Sequence, residues 1–193
     1  QILQNLPNTT GSLNTAQFEA RLKEALTFGT QNSAGWVSSV NGFFANAALK
    51  ILMPPEAQKV ESTLRNVGLG SVVDKAILSM NRGAEEAAKS ATPIFVNAIK
   101  QMTIADAWAI LRGDKDAATQ YLKRTTSQQL YEAFNPVMVK SLEKTNATKY
   151  YTDIVNQYNK IPLTQKVNPD LDDYATQKAI DGLFVLVAQE ELR

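Results

Sequence analysis

Asp170-Leu171-Asp172-Asp173, followed by Ala179-Ile180-Asp181-Gly182-Leu183-Phe184-Val185-Leu186-Val187-Ala188, is the stretch from which the fold is read. Asp170 with Asp173 three positions on is a helix start: one carboxylate accepts from an N–H without an intrahelical partner, and the other suits the positive end of the helix dipole. The run from Ala179 to Ala188 is apolar almost all round, interrupted only by Asp181. A helix with no polar face belongs at the centre of a core. The chain is therefore predicted to be helical and built around its last helix.

Upstream, the same helical spacing recurs. Asn14 with Gln17 reads as a variant capping box. Phe18, Leu22, Ala25, Leu26 and Gly29 then fall at i, i+4, i+7, i+8 and i+11, one stripe of a helix. Residues 41–53 read as a packed connection. Pro54-Pro55 suits the first turn of a helix carrying Val60, Leu64 and Val67, stopped by Gly68. Ser71 with Asp74 reads as a capping box before Val72, Val73, Ala76, Ile77 and Met80, and an alanine-rich stretch follows from Ala84 to Ala91. Thr103 with Asp106 opens another helix through Ala107, Trp108 and Leu111, ended by Gly113. Asp114 or Asp116 starts the next, and the polar run Thr125 to Gln129 reads as a junction before Leu130, Phe134, Met138 and Leu142. A kink or break is expected near Ser90, ahead of Pro93, and a second kink at Pro136, since an interior proline removes one helical hydrogen bond. Tyr150, Ile154 and Tyr158 mark one more helix. No stretch alternates over strand length and no fixed-period repeat is found. The expectation is an all-α, single compact domain of about seven or eight helices over residues 15–193, after a polar tail or linker at 1–14.

Composition bounds the chemistry. At 193 residues, 44% of them hydrophobic, a chain buries roughly 70% of its unfolded surface and holds a core without disulfides. The formal charge is +1, from 20 basic and 19 acidic residues. That balance lacks the basic excess with which nucleic-acid binders neutralise phosphate, so no nucleic-acid partner is expected. There is no cysteine and no histidine, which removes thiol nucleophiles, Ser-His-Asp triads and the usual zinc sites. No cofactor and no metal are expected. The longest apolar run, Leu183 to Ala188, is far short of the ~20 residues of a transmembrane helix. The start at Gln1 rather than Met is expected to reflect a processed form, with any targeting segment removed.

Few motifs carry chemistry. Ser141-Leu142-Glu143-Lys144 matches S-x-x-K, but late in a helix and without companion elements. Gly68-Leu69-Gly70 follows a helix rather than a strand and reads as a helix–helix turn. Asn168-Pro169-Asp170-Leu171-Asp172-Asp173 lacks the glycine and closing glutamate of a calcium loop and reads as a cap. Asn8-Thr9-Thr10 and Asn146-Ala147-Thr148 are bare glycosylation sequons. All six tyrosines lie after position 120 and read as core with a wet hydroxyl edge. Lys123-Arg124-Thr125-Thr126 is the one candidate binding constellation. Two cations precede two hydroxyls at an expected helix start, where charge and free N–H groups together hold a phosphate or carboxylate.

Long collinear blocks resemble a known family. They are Pro54-Pro55-Glu56-Ala57-Gln58-Lys59-Val60-Glu61-Ser62-Thr63-Leu64-Arg65, Ala91-Thr92-Pro93-Ile94-Phe95, Met102-Thr103-Ile104-Ala105-Asp106-Ala107, Ala117-Ala118-Thr119-Gln120-Tyr121-Leu122-Lys123-Arg124-Thr125-Thr126, Val167-Asn168-Pro169-Asp170-Leu171 and Gln177-Lys178-Ala179-Ile180-Asp181-Gly182-Leu183-Phe184. The chain after residue 15 resembles the bacterial family named domain of unknown function 4197. The resemblance implies a helical protein exported to the periplasm or cell envelope, often behind a signal peptide and sometimes with a lipid anchor in the precursor. It implies no activity. It also implies relatives that continue past Arg193 with a short basic segment.

The leading expectation is a non-enzymatic envelope protein that binds a small-molecule or lipid ligand or a partner protein. A cleft between helices favours the ligand, and a broad exposed apolar patch favours the protein partner. The alternatives are a carboxylate-based envelope hydrolase acting on glycans, which needs two acids facing one cleft, and a purely structural envelope component.

Overall fold

A computed structural model of the chain describes residues 14–193; the expected tail and the sequon at Asn8 lie outside these, apart from Asn14. Among the described residues there are eight α-helices: α1 (Thr15–Ser38), α2 (Gln58–Asn66), α3 (Gly70–Ala88), α4 (Ala91–Lys100), α5 (Ile104–Arg112), α6 (Ala117–Glu143), α7 (Ala147–Asn159) and α8 (Leu171–Glu191), with a 3-10 turn at Pro55–Ala57 before α2. The all-α, single-domain architecture is as expected. One continuous core joins residues from every helix.

Side-chain caps open three of the helices, α1, α5 and α8. Asn14 accepts from the Ala16 N–H and opens α1. Thr103 and Asp106 form a full reciprocal capping box at α5. Asp170 accepts from the Asp173 N–H at 3.0 Å and opens α8. Ser71 and Asp74 do not cap. Helix α3 starts at Gly70 without a side-chain cap, and Asp74 instead takes Arg65 at 2.9 Å.

Helix α8 is the spine. Leu171, Ala175, Ala179, Ile180, Leu183, Phe184 and Val187 are buried, and α8 packs on α1, α3 and α6. Phe184 meets Phe95 of α4 edge-to-face, with ring centroids 5.8 Å apart. Gly182 lets Phe43 lie directly on the helix: a β-carbon there would stand 2.7 Å from Phe43 Cε1. Val185 turns outward on the same stripe as Gln177, Lys178, Asp181 and Gln189.

The two prolines sit in different settings, and the first has the break expected near Ser90. The chain breaks completely at Lys89-Ser90, and Pro93 is the third residue of the new helix α4. In a first turn its missing N–H has no partner to lose. Helix α6 runs on through Pro136, which lies on the exposed face, so the carbonyl left without a partner is on the solvent side.

The expected junction at Thr125–Gln129 is absent, and α6 is continuous for 27 residues. Leu122, Thr126, Leu130, Phe134, Met138 and Leu142 are all buried at intervals of four. Thr126 continues that stripe because its hydroxyl donates to the Leu122 carbonyl at 2.6 Å. A hydroxyl satisfied by its own helix carries no unmet polar cost into the core.

Residues 41–53 are a connection that buries Phe43, Leu49, Ile51 and Met53, and two side chains of α3 satisfy part of its backbone. Glu85 is 4% exposed; its Oε1 accepts from the N–H groups of Phe43 and Phe44 at 3.2 Å each, and its Oε2 takes Arg82 at 2.8 Å. Asn81 accepts from the Ile51 N–H at 2.8 Å and donates to the Ile51 and Ile77 carbonyls. These two side chains of α3 replace the secondary structure the segment lacks.

Candidate functional site

The last turn of α8 separates two recesses. On one side lies a cleft of about 460 Å3 between α1, the end of α5 and the start of α6. Leu22, Ala25 and Leu26 of α1 face Ile110 and Leu111 of α5, with Ala118 on the third wall. The polar groups, Asp114, Lys115 and Glu191, stand among these apolar walls. On the other side lies an open groove of about 640 Å3 between the end of α1, the turn that follows it and α8.

Glu191 fixes the wall between them. Its carboxylate accepts from the Ala118 N–H at 2.8 Å, the Thr119 N–H at 2.9 Å and the Thr119 hydroxyl at 2.6 Å. The start of α6 would otherwise be an anion site; the protein fills it with its own carboxylate. A smaller recess lined by Ala25, Gly29, Thr119, Val187 and Glu191 continues from the cleft along the α1–α8 seam.

The candidate anion constellation does not assemble. Lys123, Arg124, Thr125 and Thr126 lie inside α6, two turns past its start, where backbone N–H groups are taken up by the helix ladder. The Thr125 and Thr126 hydroxyls donate back to the Tyr121 and Leu122 carbonyls, and Thr126 is buried. Arg124 lies 5.5 Å from the Tyr121 ring centre, and its charge helps hold down the Asp106 carboxyl. Helix continuity removes the free donors on which an anion site depends.

The other motifs resolve into structure. Ser141 sits in the last turns of α6 against Gly83, and Lys144 is exposed at its end. The Gly68–Gly70 segment is the turn between α2 and α3. The tyrosines are anchors: Tyr174 donates to the Leu52 carbonyl at 2.8 Å, Tyr151 to the Asn168 carbonyl at 3.2 Å, and Tyr131 to Asp173 at 2.6 Å.

The acids are mostly committed. The Asp106 carboxyl is held below its usual range by the Thr103 backbone N–H and hydroxyl. Donation to Asp173 and burial push Tyr131 up to about 12. Asp172 is raised by burial and by the neighbouring Asp170 charge, opposed by the Thr148 hydroxyl. Glu85 and Glu191 are spent on backbone N–H groups. Sequence reading missed both, because their partners stand 42 and 73 residues away.

Among the described residues no single helix is long and apolar enough to cross a membrane. No curated protein and no solved structure matches the chain. Residues 12–193 match the family described as "Protein of unknown function (DUF4197)". The chain therefore belongs to that family.

Proposed function

We propose that this protein is a non-enzymatic binding protein of the bacterial cell envelope. Its ligand is an amphiphile with one apolar chain, taken into the cleft between α1, α5 and the end of α8. The observation that carries this reading is the cleft itself: about 460 Å3 walled by Leu22, Ala25, Leu26, Ile110 and Leu111. An apolar recess with a few polar groups beside it is the usual form of a small-molecule site. Burying an alkyl chain there is worth about 0.8 kcal/mol per methylene, and Lys115 offers a partner to an anionic end. The commitment of the acids to caps and backbone N–H groups favours binding over carboxylate catalysis. The envelope setting rests on the exported character that the family resemblance implies.

Displacement of a fluorescent fatty-acid analogue tests it. The analogue is expected to bind with saturation and to be displaced by unlabelled fatty acid. Ala25→Trp, which fills the cleft, is expected to weaken binding roughly tenfold or more, a loss of about 1.4 kcal/mol. Non-saturating uptake, or equal binding by the filled variant, would overturn the proposal.

A further inference from the structure

The groove on the other side of α8 has a different chemistry. Its floor carries Trp36, a residue 66% exposed on the last turn of α1. An indole is seldom left so open on a surface without a use, because its apolar area is the largest of any side chain. Around it stand Asn41 and Asn46 from the following turn and Gln189 and Arg193 from α8, with Val40 and Leu186 as apolar neighbours. The side chains of Asn41 and Gln189 make no hydrogen bond to other described residues, and Asn46 uses only its oxygen, accepting from the Ala48 N–H at 3.0 Å.

The wall is built and held. Ser39 turns the chain off α1 by donating its hydroxyl to the Trp36 carbonyl at 2.6 Å. Asn41 takes the left-handed conformation, with φ 67°. Gly42 then presses on the end of the helix: a β-carbon there would stand 2.5 Å from the Trp36 carbonyl oxygen. Glu85 pins the next two residues from below. The backbone that carries Trp36, Asn41 and Asn46 is therefore held in place without a ligand, which lowers the entropic cost of binding.

Charge decides between ligand classes. From Ala25 to Pro55 there is no acid and a single cation, Lys50. At the groove itself the charges are Glu190 and Arg193, and they pair with each other at 3.1 Å. An anionic lipid surface calls for a cluster of unpaired cations, and an apolar partner helix calls for a groove with few polar groups. Here an aromatic platform is ringed by planar amides in a nearly neutral setting. We propose that this groove binds a neutral glycan, one sugar ring lying with its C–H face on Trp36 and its hydroxyls exchanging hydrogen bonds with Asn41, Asn46 and Gln189. The amides supply both donors and acceptors, as sugar hydroxyls require.

Intrinsic tryptophan fluorescence of the full chain in a Trp108→Phe background, where Trp36 is the only tryptophan, tests this. The probes are the neutral tetramers of N-acetylglucosamine, β-linked glucose and α-linked glucose. At least one is expected to shift the Trp36 emission to the blue with saturation. Gln189→Ala and Asn41→Gly are expected to weaken that response roughly tenfold or more, a loss of at least two of its hydrogen bonds. In Trp36→Ala, calorimetry is expected to give no binding heat while the circular dichroism stays unchanged. No saturable shift with any tetramer up to about 20 mM, well past a millimolar dissociation constant, would overturn the proposal. A shift with neutral phosphatidylcholine vesicles and none with the sugars would overturn it in favour of a membrane surface. The outcome is independent of the cleft on the opposite side of α8, since Ala25→Trp leaves this groove untouched.

Discussion

Asp172 is a carboxylate held against its preference. Burial and the Asp170 charge raise its pKa, and only the Thr148 hydroxyl, at 3.4 Å, opposes them. A folded-state pKa above the unfolded one means the contribution to stability is full below the unfolded value, near 4, and is lost as pH rises through the folded value. At pH 7 the charged form therefore costs stability. Asp172→Asn is expected to stabilise at pH 7 by less than about 1 kcal/mol, a discounted figure because the carboxyl is part-exposed. Urea unfolding at pH 7 and pH 3 checks it, and the advantage should vanish at the lower pH. Tyr131 follows the same sign at the alkaline end: donation to Asp173 holds its pKa near 12, so stability is expected to fall between pH 10 and pH 12, and to fall less in Tyr131→Phe. At this scale the local partners were legible. Thr103 with Asp106 and Asp170 with Asp173 lie three residues apart, within one helical turn. Glu191 was not, because the N–H groups it caps are 72 and 73 residues distant. Glu191→Ala is expected to cost about 1–2 kcal/mol, the usual loss for a helix cap, read as a fall in Tm of roughly 2–8 °C.

Elements were legible wherever burial followed apolar residues. The exception was α6, where Thr125 to Gln129 looked like a junction because threonine counts as polar. The hydroxyl of Thr126 turns back to the Leu122 carbonyl and shows the core only its methyl, which no pattern of side-chain polarity reveals. Thr126→Val is accordingly expected to change stability by no more than about 1 kcal/mol. Thr126→Asp, harmless at a real junction, is expected to cost several kcal/mol as an unpaired buried charge. The 41–53 connection makes the complementary case. Its apolar residues were legible, but what holds its backbone was not, because Glu85 and Asn81 reach it from α3. Glu85→Ala leaves the buried Phe43 N–H, the part-buried Phe44 N–H and Arg82 without this acceptor and is expected to cost about 2–4 kcal/mol. Amide exchange at Phe43 and Phe44 should quicken by far more than in the rest of the core, since local opening precedes global unfolding there.

For the whole molecule, the apolar C-terminal helix fixed the architecture, because its broad apolar surface needs neighbours on several sides and leaves only the stripe of Gln177, Lys178, Asp181, Val185 and Gln189 exposed. The expected all-α domain followed from that one element and the regular caps around it. The two recesses were not legible, because each is assembled from segments far apart in sequence: α1 with α5 and α6 in one case, α1 with the end of α8 in the other. The only constellation visible along the chain, Lys123 to Thr126, turned out to be the middle of a helix. What the tertiary structure adds is the pairing of an apolar cleft with an aromatic groove across a wall fastened by Glu191.

The most direct measurement is native mass spectrometry of the protein, gently purified from the cells that make it, beside the Ala25→Trp variant treated identically. Amphiphile binding in the cleft predicts a retained small-molecule mass on the wild-type chain and little or none on the variant. A wild-type chain that emerges clean, or an adduct carried equally by both, would contradict it.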